Sequence, residues 1–326
     1  MDVFGVPVVA VLVLLGICAV PLILLLDAFS HPATPVDHAD VDRDAVARSL
    51  RLNRWRLAAC LAGTGAALVA GFWANGLWPS LLGVPVAVAP GLATSVALLA
   101  YATWPVTQPR DARPGPASAS LRRREPWSFA RRGTLLLPLV VAVAYLLVLL
   151  AGAVLAQPDD AGRLRAFGLT QGDLTSRSSP FPGSFYGLPL AGVTVLLAVA
   201  TYAALWRMAS SPAIVQGSVT PASREVDRRW RGISTSVIVR TATASLLGYA
   251  AATLVIGGSA ILRTSGPDNG MAPTPWVGVG WTTTLVGAVG LLAAAVVAGS
   301  AVAALLSLRT RAVLGAPGVV VTPPRR

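Results

Sequence analysis

The chain has 326 residues, 54% of them hydrophobic and only 12% charged. Its mean hydropathy is +0.66, whereas a soluble domain carries roughly 25% charged residues, so the composition is that of a membrane protein. All 26 basic residues are Arg, set against 14 acidic ones for a net charge of +12. Without a single Lys, nucleotide hydrolysis by a Gly-Lys-Ser/Thr phosphate loop is excluded, as is a Schiff base to retinal or pyridoxal phosphate.

A helix needs about 20 apolar residues to cross a bilayer. Seven segments meet that need, at 4–26, 57–73, 82–103, 134–156, 186–206, 237–262 and 276–306. The N-terminal MDVFGVP, into which the first extends, lacks the basic start of a signal peptide. Ile17 precedes Cys18 where a lipoprotein box needs a small residue, so the segment reads as an uncleaved span. Cys18 and Cys60 fall in different apolar segments at different depths, which speaks against a disulfide or a metal site built on them.

The segment 27–56 contains HPATPVDHADVDRD, with His31, His38, Asp40, Asp42 and Asp44. The Asp-x-Asp-x-Asp start resembles that of a calcium loop. Ala45 replaces the required Gly, however, and Arg51 stands where the bidentate Glu belongs. An Asp-capped, acidic first turn of a helix is the simpler account. That helix would end on RLNRWR, whose Arg51, Arg54, Trp55 and Arg56 read as membrane-interface anchors.

Spans two and three are joined by ANGLWPSL, in which Asn75-Gly76 and Pro79 predict a tight turn between antiparallel helices. The loop 105–133 opens Pro/Ala/Ser-rich, as a linker does, and ends basic around Trp127. The loop 157–185 carries Asp159, Asp160 and Asp173 among glycines and prolines and reads as a connector. The next loop ends on DRRWRG, an echo of RLNRWR. Here Arg228, Arg229, Trp230 and Arg231 are the expected interface anchors, with Asp227 and Arg231 at the favourable i,i+4 spacing.

The arginines order these segments. With the N-terminus outside and the C-terminus cytoplasmic, inner segments hold 21 arginines and outer ones 4, with Arg240 inside span six. That asymmetry is the positive-inside rule at work. The expectation is an all-α, seven-helix polytopic domain covering 1–326 in a bacterial inner membrane. The two Arg-Trp-Arg clusters occupy equivalent places before spans two and six, which points to a 3+1+3 parallel repeat. Such parallel repeats occur in sugar-efflux proteins of the SWEET class, none of whose motifs is found here.

All 14 acidic residues and both His lie outside the spans. Intramembrane proton relays, carboxylate cation sites, bis-His haem and a buried Ser/His dyad therefore lack their groups. No enzyme, cofactor or metal is expected. Arg240 is the exception within a span: it either snorkels to the interface or contacts an anionic substrate with Thr241 and Ser245. Small residues at four-residue spacing (Gly63, Ala67, Gly71; Ala244, Gly248, Ala252; Ala295, Gly299, Ala303) predict close helix approach. The basic loops follow topology rather than one folded surface, so anionic lipid headgroups and not nucleic acid are the expected partner. These features lead to a non-enzymatic, permease-like or transport-associated subunit with a separately encoded partner. The alternative is a sensory or regulatory protein acting through its long loops.

Overall fold

The computed structural model describes residues 65–103 except 68, 127, 132–210, 221–266 and 275–307. The first expected span, the His/Asp strip, Arg51, Arg54, Trp55 and Arg56 lie outside the described residues. Among the described residues the order is α1 (Gly65–Leu77), a 3-10 turn (Pro79–Leu81), α2 (Val84–Thr103) and α3 (Arg132–Leu155). Three short strands follow: β1 (Gln157–Pro158), β2 (Leu164–Gln171) and β3 (Leu174–Ser178). The chain then forms α4 (Ser184–Ser210), α5 (Pro221–Ser265) and α6 (Pro275–Ser307). The five helices α2 to α6 are long and apolar enough to cross a membrane, which is compatible with a membrane protein.

Their outer faces agree with that setting. Leu136, Val140, Leu147 and Leu150 on α3 are exposed, as are Trp281, Leu285 and Val289 on α6. In water such a surface would drive aggregation, but in lipid it costs nothing. Because lipid is as apolar as these side chains, association rests on close packing and hydrogen bonds rather than on hydrophobic burial.

Packing is organised around α5, which contacts α6 most extensively and also touches α2, α3, α4 and the sheet. At 45 residues α5 is about 68 Å long, roughly twice the thickness of a bilayer core. Hydropathy locates only its apolar part; the Arg-rich first turns continue the same helix. The interface with α6 is built on glycine. A methyl group on Gly287 would stand 2.8 Å from the Ala251 carbonyl oxygen and from Val255. One on Gly280 would stand 2.7 Å from Leu262. Of the expected small-residue ladders, Gly71 does sit tightly against Ala89, but Gly248 faces open space.

Two further expectations are corrected. Asn75 and Gly76 belong to α1, and the chain reverses later, through Pro79–Leu81 and the left-handed Leu82 (φ 48) and Gly83 (φ 90). The segment expected as a connector is an antiparallel sheet in the order β1-β2-β3. Gly172 (φ 60) and Asp173 form the two-residue turn, with Gln171 opposite Leu174. Glycine suits the first turn position because it alone adopts positive φ without strain. The sheet closes one end of the bundle, where Phe167 packs on Phe181 (ring centroids 5.3 Å apart) and Trp276 (5.2 Å) above Ala260 and Ile261 of α5.

Candidate functional site

The polar groups of the bundle converge on one seam. On α5, Ser245, Tyr249 and Thr253 recur at four-residue spacing and so share one helix face. Each meets a partner from another helix. Ser245 Oγ lies 3.2 Å from Thr94 Oγ1 of α2, and Thr253 Oγ1 lies 3.0 Å from the Tyr145 hydroxyl of α3. The Tyr249 hydroxyl accepts from the Gly91 backbone N–H and donates to the Val88 carbonyl at 3.2 Å. The rings of Tyr145 and Tyr249 stack at 6.2 Å. Further along α5, Tyr101 of α2 donates to Ser234 at 3.2 Å.

The sequence creates the seam through Pro90. Proline inside α2 has no N–H and clashes with the carbonyl one turn earlier, which loosens the local ladder. The released backbone needs other partners in an apolar medium. Tyr249 supplies one by bridging Gly91 and Val88, and Thr94 donates back to the Pro90 carbonyl at 2.8 Å. Gly91 admits the tyrosine: a methyl group there would stand 2.9 Å from the hydroxyl oxygen and 2.8 Å from the ring. Counted along both α2 and α5, these residues fall near the middle of the apolar stretch. The seam is rich in hydroxyls and carries no charged side chain, so its chemistry is hydrogen-bond exchange with a neutral polar group.

The expected site residues are distributed differently. Arg240 is half-buried and donates from Nη1 to the Ser300 carbonyl of α6 at 2.8 Å. Ser245 faces α2 instead, so Arg240 and Ser245 address different neighbours, while Thr241 is half-buried between them in sequence. Thr243, one turn before the seam's core, is buried, and its hydroxyl has no hydrogen-bond partner among the described residues.

The Arg-Trp-Arg cluster at the start of α5 splits in two. Arg228 is exposed and Arg229 is half-buried. Trp230 and Arg231 lie inside the protein, at 1% and 0% exposure. The Arg231 guanidinium pairs with Asp227 at 2.8 Å, the i,i+4 pair read from sequence. It also donates to the last carbonyls of α4, Met208 at 2.7 Å and Ala209 at 3.0 Å. Unpaired carbonyls and a negative dipole end make a helix C-terminus a natural seat for a cation. Arg231 therefore clasps α4 to α5 instead of facing lipid.

At the sheet end, Asp159 accepts from the backbone N–H groups of Ala161 (2.9 Å) and Arg163 (2.8 Å) and from Arg165 Nε. The Arg165 hydrogen bond, reinforced by these backbone donors, holds the Asp159 carboxyl below the usual carboxylate range. Arg165 also reaches the Tyr186 hydroxyl at 3.4 Å, which donates to the Leu82 carbonyl at 2.9 Å. One polar chain thus ties the sheet to α4 and to the turn between α1 and α2. Sequence reading assigned these residues no role, because the partners lie up to 104 positions apart.

No family model, curated protein or solved structure matches this chain.

Proposed function

We propose that the chain is a non-enzymatic, permease-like or transport-associated membrane subunit with seven spans, N-terminus outside and C-terminus cytoplasmic in a bacterial inner membrane. The supporting observation is the uncharged hydroxyl seam at mid-span, placed beside Pro90, the proline inside α2. Helix-interior prolines and hydroxyl groups that face a shared interior at mid-span are parts from which membrane transporters build solute paths. Separation of α2 from α5 would present Thr94, Ser245, Tyr249 and the loosened backbone to a neutral polar solute. Arg240, engaged with α6, is secondary in this reading. The 3+1+3 repeat would place α4 to α6 as the second half, with α3 as the inverting span. A separately encoded partner would supply the energy, since the seam has no titratable carboxylate or imidazole to couple to protons.

The test is solvent access. In a Cys18→Ala, Cys60→Ala background, Thr94→Cys and Ser245→Cys should react with a small water-soluble thiol reagent in membranes, with rates that change when the partner is co-expressed. Complete protection in every condition would remove the transport reading. A regulatory protein is the second reading, favoured by one observation: the segment 157–185 contains a folded sheet anchored to α4, α5 and α6, a platform that an external ligand could press upon. Sidedness is tested separately. Ser176→Cys should label from outside and Ser118→Cys only after permeabilisation.

A further inference from the structure

At the end of the bundle away from the sheet, the start of α3 and the end of α4 leave a groove of about 400 Å³. Leu135 and Leu205, 7% and 2% exposed, form its floor, and Leu136 and Tyr202 its walls. Exposed Trp127, Arg132 and Trp206 stand at its mouth. Tyr202 cannot make the floor polar, because its hydroxyl is already given to the Leu135 carbonyl at 2.9 Å. The lining is thus almost entirely carbon, with one cation and two amphipathic rings at the rim.

That layout matches the depth profile of a phospholipid, from charged headgroup through interfacial ring to acyl chain. Among the described residues the charged side chains at the mouth and next to it in sequence are positive. Arg132 lines it, Arg207 follows Trp206 in the last turn of α4, and the amide end of α3 adds partial positive charge. The α4 carbonyl end would oppose this with negative charge, but Arg231 already satisfies Met208 and Ala209 there. In a zwitterionic headgroup the ammonium offsets the attraction of the phosphate, whereas a net-anionic headgroup keeps all of it. Basic pockets between spans on the cytoplasmic side select anionic lipid for this reason.

We propose that this groove is a selective site for an anionic glycerophospholipid. One acyl chain would lie along Leu135, Leu136 and Leu205, with the headgroup phosphate at Arg132 and Arg207. The site does not depend on the transport reading.

The test uses the full chain in detergent, stripped of lipid and offered equal phosphatidylglycerol and phosphatidylcholine of the same acyl composition, with bound lipid read by native mass spectrometry. Wild type should retain phosphatidylglycerol preferentially. Arg132→Gln and Arg207→Gln should each cut that retention by about fivefold. Leu136→Trp, a change at an exposed wall position, should block the groove and lower retention of both lipids. Thermal unfolding of each variant, unchanged from wild type, separates site loss from misfolding. Equal retention of the two lipids, or no loss in Arg132→Gln, would overturn the proposal. So would displacement by inorganic phosphate alone. A Leu136→Cys variant that forms a disulfide with Cys18 would overturn it as well, since the groove would then hold the chain's own first span.

Discussion

Arg231 of α5 donates to the carbonyl of Met208, the third residue from the end of α4, while its Nε holds Asp227 one turn back on its own helix. A single guanidinium thus ends one helix and starts the packing of the next. Arginine's planar fork spreads its donors over separate nitrogens that face these acceptors; lysine's three donors radiate from one nitrogen, which would have to sit within reach of all of them. Arg231→Lys and Arg231→Met should both destabilise the bundle, the latter by about 3 kcal/mol, because buried carbonyls and Asp227 lose their partner. Thermal unfolding in detergent checks this. A lysine variant as stable as wild type would show that charge alone suffices.

The glycine interface offers a paired comparison. Gly287→Val pushes a side chain into the Ala251 backbone and Val255, and should cost about 1–3 kcal/mol as α5 and α6 are forced apart. Gly248→Ala, one helix face away with nothing within 4 Å, should be neutral or slightly stabilising. Both are read from midpoints of thermal unfolding. Equal losses would show that helix propensity, not interhelical contact, sets the response.

Within the seam, Tyr145 and Thr253 should show a pairwise coupling of about 0.6 kcal/mol in a double-mutant cycle of Tyr145→Phe and Thr253→Val. Tyr249→Phe should cost more than either, about 1–2 kcal/mol, since one hydroxyl serves both the Gly91 N–H and the Val88 carbonyl. An additive cycle would mean that the hydroxyl pair contributes nothing net.

Asp159 sets a pH dependence at the sheet. Its folded-state carboxyl titrates below the unfolded value of about 3.9. The anchoring is therefore complete above that value and is lost as pH falls through the lower, folded one. Amide protection in β2 and β3, taken as the exchange rate relative to the intrinsic rate at each pH, should hold from neutral pH to about pH 4 and fall below it. Asp159→Asn should exchange fast throughout. A variant that keeps the wild-type acid transition would place the titrating group elsewhere.

What the sequence made legible follows from which forces are local. Apolar run length alone located α2, α3, α4 and α6 within a few residues, as 134–156 was expected where Arg132–Leu155 is found, but for α5 it marked 237–262 and missed the first sixteen residues of Pro221–Ser265. The i,i+4 pair of Asp227 and Arg231 was equally readable, because one helix carries both partners. The rest depends on neighbours distant in the chain. Ser245 was singled out, but the four-residue recurrence through Tyr249 and Thr253 acquires meaning only with Gly91, Thr94 and Tyr145 in place. Trp230 has the composition of an interface anchor and the burial of a core residue; which one applies is decided by α4 packing over it. The sheet escaped notice because its strands are short and its surface residues are polar, so neither run length nor alternation marks LTSRS as a strand.

The 45-residue helix α5 joins two of these places. Its Thr264 hydroxyl donates to the Phe167 carbonyl in β2, and Arg231 grips α4 more than thirty residues earlier. A continuous helix of that length acts as a lever: a tilt of about 5° at one end swings the other by about 6 Å. At the arginine clasp, about 50 Å from Thr264, the same tilt would appear as a displacement of about 4 Å without any change inside the helix itself.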